Sequence, residues 1–203
     1  TTFKPFSKYI TFLFFIKFDI LSLQSLVLYI SGKSYFSLNT DGGGEEALKI
    51  KGGGYRFPSS PETMAMKQFE DGSIRSDEHL FMNGIEVFKF TMKEVVKDIR
   101  RLMEYSKESL EHVDHLIFHQ SNKFMTDHFI KKLKFPREKV PYSIEKFGNT
   151  SSASVPLTIV SELKEVLNQG SKRLLMSGYG GGLSWGTAKV DFDQCRVLDL
   201  LEI

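Results

Sequence analysis

Apolar positions along this chain switch between a period of two and a period near 3.6, and the switches mark out its elements. Tyr35 to Asn39 alternates and predicts a strand, closed by the turn Thr40-Asp41-Gly42-Gly43-Gly44. Ala47 to Ile50 is a second short apolar run, stopped by Gly52-Gly53-Gly54. Residues 55 to 79 hold Pro58, Ser59, Ser60, Pro61, Asp71 and Gly72 and read as one long surface loop, a length that is usually functional or mobile. From Val87 the period lengthens. Phe88, Val95, Ile99 and Leu102 share one helix face, and Lys93, Glu94, Lys97 and Asp98 take the other. Val113-Asp114-His115-Leu116-Ile117-Phe118 is a largely apolar run and predicts a buried strand. A helix follows to about Lys134, with Met125, Phe129 and Leu133 inward and Ser121 or Asn122 as its cap. Val140 to Ile144 predicts another strand. Pro156 suits the first turn of the next helix, whose buried stripe is Leu157, Val160, Leu163 and Leu167 and whose stop is Gly170. Arg173 to Ser177 and Thr187 to Phe192 are the last two strands, and the glycine-rich stretch between them predicts a hairpin or tight loop. Strands and helices alternate throughout with no solenoid repeat, so the class is α/β with both faces of the sheet covered.

Residues 1–34 do not fit this rhythm. Ile10 to Ile30 is apolar over a length that could span a bilayer. Lys17, Asp19 and Gln24 interrupt it, and each charge near the middle of a span would cost roughly 3 kcal/mol. A charge-free stretch with a small-residue cleavage site, as a signal peptide needs, is not evident. A globular segment is therefore favoured over a membrane anchor. The chain opens at Thr1 without a Met and reads as processed or as a fragment.

Composition narrows the functional classes. At 203 residues, 41% hydrophobic and 26% charged, the chain can bury one sizeable core or one and a part. A formal net charge of +2 gives no reason to expect a nucleic-acid partner. The single cysteine, Cys195, rules out an internal disulfide and fits a reducing, cytoplasmic compartment. No metal-ligand spacing is evident. The glycine runs at 42 and 52 read as turns, and a phosphate loop is weakly supported because no Gly-Lys-Ser/Thr follows.

Three polar clusters stand where elements end: His119-Gln120-Ser121-Asn122, then Gly148-Asn149-Thr150-Ser151-Ser152-Ala153-Ser154, then Gly178-Tyr179-Gly180-Gly181-Gly182-Leu183-Ser184-Trp185-Gly186. Taken singly, each has a plain structural alternative: a satisfied histidine at a strand end, a Gly-Asn turn, a glycine loop needing positive φ. Taken in this order and spacing, from near Ser34 to about Phe192, they resemble the C-terminal half of β-ketoacyl-acyl-carrier-protein synthase III, within the thiolase-like condensing enzymes. The resemblance implies a mixed sheet covered by helices on both faces and a C-terminal condensing-enzyme domain over residues 35–203. It also implies a glycine-rich strand and turn shortly before Ser34, which this sequence lacks. Residues 1–34 are accordingly expected to be foreign to the fold, for example through a frameshift or rearrangement.

The same resemblance assigns roles. Decarboxylating a malonyl thioester leaves an enolate, which two neutral donors aimed at one oxygen can stabilise. His119 and Asn149 would be those donors, with Gln120 and Asn122 in support. Gly181 would lend an oxyanion-hole N–H, and Gly84, in Met82-Asn83-Gly84-Ile85-Glu86, would let a pantetheine arm pass close to the backbone. For Gly84 a simple helix-entry turn stands as the alternative. Lys131 and Lys132, among the cations of the helix after His119, match the family's contact with acyl carrier protein, although Phe124 stands where the family often has Arg. The implied substrates are acyl-CoA and malonyl carrier protein, with no cofactor, and a homodimer or other self-association is expected. The family's nucleophilic cysteine sits at a helix N-terminus in the first half, where nothing here corresponds. Cys195 lies in a polar tail beyond the last strand and is not expected to replace it. The sequence reading is thus the C-terminal part of a 3-oxoacyl-acyl-carrier-protein synthase III-like acyltransferase, condensing acyl-CoA with malonyl carrier protein in fatty-acid or related biosynthesis. It is expected to be incomplete because the nucleophilic cysteine half is absent. The alternative is a non-catalytic remnant or interaction protein on the same fold, and a weaker one is a membrane-tethered domain.

Overall fold

The computed structural model describes residues 26–27, 33–192 and 196–200. Expectations for Ile10 to Ile30 therefore fall almost wholly outside the described residues, as does Cys195. In chain order the strands are β1 (Leu26–Val27), β2 (Tyr35–Thr40), β3 (Leu48–Ile50), β4 (Lys67–Gln68), β5 (Ile74–Arg75), β6 (Leu80–Met82), β7 (His115–Phe118), β8 (Lys172–Gly180), β9 (Ser184–Phe192) and β10 (Arg196–Val197). The helices are α1 (Pro61–Met64), α2 (Gly84–Ser106), α3 (Lys123–Leu133), α4 (Ile144–Phe147), α5 (Ser154–Glu162) and α6 (Lys164–Asn168). The chain divides into two compact units. Among the described residues, one is built from those up to Asn39, Met92–Tyr179 and those from Trp185 onward, and the other from Thr40–Thr91 and Gly180–Ser184.

The first unit is organised by a four-stranded sheet in the order β2-β9-β8-β7. β7 and β8 run parallel, His115 opposite Leu174 through Phe118 opposite Ser177. β8 and β9 are neighbours joined by the three-residue turn Gly181–Leu183, which only an antiparallel pairing permits, so the sheet is mixed. β7 shows why its sequence carries no alternation. Leu116 and Phe118 enter a core with Val95, Ile99 and Leu102 of α2 and Phe129 and Ile130 of α3. Ile117 points the other way, into a core with Ile159 and Val160 of α5 and Leu167 of α6. A strand buried on both faces has no polar side to show.

α2 begins three residues before the expected Val87, because the Asn83 carboxamide oxygen accepts the Glu86 N–H and caps an added turn. Phe88, assigned to the buried stripe, is 38% exposed. Asp98 reverses the expectation more sharply. Instead of facing solvent it is 1% exposed, and its carboxylate accepts from Ser37 Oγ at 2.5 Å, Asn39 Nδ2 at 2.8 Å and Thr187 Oγ1 at 2.6 Å. The polar side chains of β2 and β9 make burial of that charge tolerable.

The strand expected at Val140 to Ile144 does not form. Arg137–Lys139 makes a 3-10 turn, Val140 caps it, and the chain passes through Pro141 into α4. Pro136 and Pro141 have no N–H for a ladder, and the Gln120 side-chain oxygen takes the N–H groups of Ser143 and Ile144 at 3.1 and 3.3 Å. The helix expected across Pro156 is split at Leu163 into α5 and α6, and Gly170, at φ +144°, follows its end.

The second unit contains two antiparallel ladders, β3 with β6 and β4 with β5. The stretch 55–79 therefore holds elements of its own. A capping box between Ser60 and Thr63 starts α1, Glu78 accepts from Ser59 and Thr63 at 2.5 and 2.7 Å, and the Arg75 guanidinium lies 4.8 Å from the centre of the Phe69 ring. Pieces of two to four residues are too short for periodicity to reveal. In this unit Leu183 exchanges two backbone hydrogen bonds with Asp41, at 2.8 and 3.0 Å, which pins the Gly181–Leu183 turn. No helix among the described residues is long and apolar enough to cross a membrane.

Candidate active site at the end of β7

His119 follows the last residue of β7, and its backbone N–H donates to the Ser177 carbonyl at 2.8 Å, so the ladder with β8 fixes where its side chain starts. Parallel strands end with their loops on one side of the sheet, which is where α/β proteins assemble ligand sites. The imidazole is held from three directions. Nδ1 lies 2.6 Å from Ser154 Oγ in the first turn of α5. The Tyr179 ring on β8 meets it edge to face, with centroids 5.3 Å apart and planes at 79°. The Ser151 carbonyl stands beside the ring. Tyr179 is itself tied back through its hydroxyl to Ser121 Oγ at 2.7 Å, and burial pushes its pKa up to about 12. The side of the ring is thus a neutral wall.

Burial lowers the His119 pKa to about 4, against a smaller upward pull from the Ser151 carbonyl. At neutral pH the ring is uncharged and can offer an N–H without a cation's attraction for a carboxylate.

Asn149 enters through Gly148, which takes φ +66° at the end of α4. Its side-chain oxygen accepts the Ser151 N–H at 2.9 Å, so the hydrogen-bond pattern turns the amide –NH2 away from that contact, and the residue is exposed. Ser151 adopts φ +54°, unusual for a residue with a side chain. It therefore serves both candidates, its N–H oriented toward Asn149 and its carbonyl toward His119.

Gln120 and Asn122 have structural tasks that use their polar atoms. Gln120 is 2% exposed, donates to the Phe118 carbonyl at 2.9 Å and braces residues 143–144 as described above. Asn122 caps α3 by accepting the Phe124 N–H at 2.9 Å. Both shape the segments that carry His119 and Asn149, and neither side chain touches the imidazole among the described hydrogen bonds.

In the second unit, Gly181 opens the exposed turn between β8 and β9. A Cβ there would meet the Leu48 carbonyl and side chain at 3.6 to 3.7 Å, ordinary contact distances. Gly84 opens α2, exposed, with nothing within 4 Å of a built Cβ. Neither position demands glycine for packing. Lys131 and Lys132 are exposed in the last turn of α3, where the helix dipole also favours cations. Lys123, on the same helix, is engaged by Glu145.

The sequence reading missed Ser154, Ser151 and Tyr179 as individual contributors, although all three lie in clusters it singled out. It placed Lys93 and Lys97 on the polar face of α2 and assigned them no role. Lys93, Lys97, Arg100 and Arg101, with Lys132 of α3, line a groove of about 470 Å³, and Arg100 donates to the Lys132 carbonyl at 2.7 Å. Among the described residues, no three His, Cys, Asp or Glu side chains cluster to hold a metal.

Residues 103–192 match the family described as 3-Oxoacyl-[acyl-carrier-protein (ACP)] synthase III C terminal. The Beta-ketoacyl-[acyl-carrier-protein] synthase III of Clostridium perfringens is 32% identical over 154 residues, 76% of this chain and 44% of that protein. The protein of the same description from Streptococcus agalactiae is 35% identical over 153 residues, 74% of this chain and 44% of its own length. A crystal structure of 3-oxoacyl-(acyl-carrier protein) synthase from Burkholderia xenovorans superposes with a TM-score of 0.73 at 35% identity, covering 86% of this chain and 49% of that one. A 3-oxoacyl-(acyl-carrier-protein) synthase III structure at 2.1 Å gives 0.71 at 37% identity over 76% of this chain. The chain thus spans less than half the length of the curated relatives it matches. On a thiolase-like α/β fold, residues 103–192 of this chain are similar to the C-terminal region of the 3-oxoacyl-acyl-carrier-protein synthase III family.

Proposed function

We propose that this chain supplies the enolate-stabilising half of a decarboxylative condensing site for a malonyl thioester on a carrier protein, with His119 and Asn149 as the two donors to the thioester oxygen. The observation that carries this reading is a partly buried histidine, neutral at pH 7 and oriented at the end of a parallel strand, sharing Ser151 with the Asn149 carboxamide. As the malonyl carbon–carboxylate bond breaks, its electron pair passes into the thioester. Negative charge then grows on the carbonyl oxygen, and neutral N–H donors aimed there lower the barrier. The leaving group is carbon dioxide. In condensation the enolate attacks an acyl group held on a cysteine; without that acyl group, the enolate takes a proton from water and yields an acetyl thioester.

The cysteine step lies beyond this chain's own residues in this reading, since Cys195 is its single thiol and follows the last strand of the sheet. Acyl-CoA would be the acyl source and acyl carrier protein the partner, with Lys131 and Lys132 on its docking face. For Gly181 as an oxyanion donor and Gly84 beside the pantetheine arm, support comes from the family likeness. It comes also from the lack of any packing need for glycine at either position.

The test uses the chain as it is, with malonyl-CoA and malonyl carrier protein. Slow decarboxylation that disappears in His119→Ala, with no acyl adduct on Cys195 by mass spectrometry after acyl-CoA treatment, is the expected result. An adduct on Cys195 that malonyl carrier protein discharges would overturn the half-site reading.

A further inference from the structure

Ser154 carries no assigned role, yet its position is unusual for a serine. It opens α5 with 1% of its surface exposed, so no water completes its hydrogen bonds. Its hydroxyl has two contacts among the described residues. The Gln120 backbone N–H donates to Oγ at 3.3 Å, and His119 Nδ1 lies 2.6 Å away. The first partner is a donor only. The hydroxyl proton must therefore go to the second, because a buried hydroxyl left without an acceptor costs about 1–3 kcal/mol. An imidazole nitrogen that accepts carries no proton, and a neutral ring has only one to hold. We infer that Ser154 is a positioning residue that donates its hydroxyl proton to His119 Nδ1 and so fixes the ring in the tautomer with the proton on Nε2.

The consequence concerns which edge of the ring can act. Nδ1 is turned into the protein, toward α5, so Nε2 is the nitrogen left to face a substrate oxygen. As an N–H it can stabilise an enolate; as a bare nitrogen it would repel one. The competing arrangement puts the proton on Nδ1 and points it at Ser154 Oγ, 2.6 Å away. That arrangement leaves the Ser154 hydroxyl proton without a partner. The Gln120 N–H reinforces the choice by occupying one lone pair of Oγ, and it does so from the residue adjacent to His119, so β7 and α5 set hydroxyl and ring together.

The role rests on the reading of His119 as a donor, but its test needs no substrate. Imidazole nitrogen shifts, read through long-range proton–nitrogen coupling at neutral pH, report the protonated nitrogen directly. His119 is picked out from the five histidines by the signal lost in His119→Asn. The wild-type chain is expected to show a protonated Nε2 and a bare Nδ1. Ser154→Ala should admit the Nδ1-protonated form and slow malonyl decarboxylation about fivefold to tenfold, the worth of one net hydrogen bond. Ser154→Thr, which returns the hydroxyl, should restore both. A protonated Nδ1 in the wild-type chain overturns the inference before any variant is made, and so does an unchanged tautomer in a folded Ser154→Ala. If the tautomer is fixed as expected while the wild-type chain releases no carbon dioxide, the Ser154 role stands and the functional reading of His119 falls.

Discussion

His119 shows how much of a site depends on surroundings that one residue cannot reveal. Its identity and its place after an apolar run were legible in the sequence. Its charge state was not, because that follows from burial and from the Ser151 carbonyl, which arrive from a loop about thirty residues downstream. The same burial gives a pH prediction. The folded ring titrates near 4 and the unfolded ring near 6.5, so between those values the unfolded chain binds a proton that the folded chain resists. The contribution is fully present above pH 6.5 and is lost as pH falls toward 4. His115 is also lowered by burial and adds to the wild-type slope. Urea melts between pH 4 and 7 should therefore show a shallower loss in His119→Gln than in wild type; equal slopes would contradict the buried neutral ring. Gly181 offers the converse case, a residue whose surroundings ask nothing of it. Because a Cβ there meets Leu48 only at ordinary contact, Gly181→Ala should change the unfolding free energy by less than about 0.5 kcal/mol in urea melts.

Elements were read well where a single face decided them and poorly where short-range hydrogen bonds did. β7, α3 and β8 follow directly from apolar runs and spacing. The 55–79 region did not, since α1, β4 and β5 owe their existence to Ser60, Thr63, Glu78 and Asp77, not to any repeating pattern. Val140 to Ile144 looked like a strand because Val, Tyr and Ile favour one, and two prolines and the Gln120 carboxamide settled the matter otherwise. Asp98 was misread because a helix wheel cannot know that β2 and β9 bring Ser37, Asn39 and Thr187 to one carboxylate. That junction carries a stability prediction. Asp98→Ala strands two buried hydroxyls and a partly buried amide beside a cavity, and should cost about 3 kcal/mol in urea unfolding. A loss below about 1 kcal/mol would mean the network is not holding α2 to the sheet.

At the scale of the whole molecule, the second unit exposes many large apolar side chains for its size, among them Tyr55, Phe57, Met64, Ile74, Leu80 and Ile85. Apolar surface of this extent favours association. Sedimentation velocity should reveal concentration-dependent self-association that weakens in the double variant Phe57→Ser, Leu80→Ser; a monomer at every concentration would contradict it. The family relationship accounts for the fold and for the order of the polar clusters, while the account of function turns on one claim, that His119 and Asn149 act together on one developing oxyanion. A double-mutant cycle on malonyl-thioester decarboxylation tests it most directly, with His119→Ala, Asn149→Ala and both together. Two donors serving one oxygen should each cost about a hundredfold, and the double variant should be little slower than either single one, as groups acting as a unit are. Losses that multiply independently, or carbon dioxide release that neither substitution changes, would contradict the account.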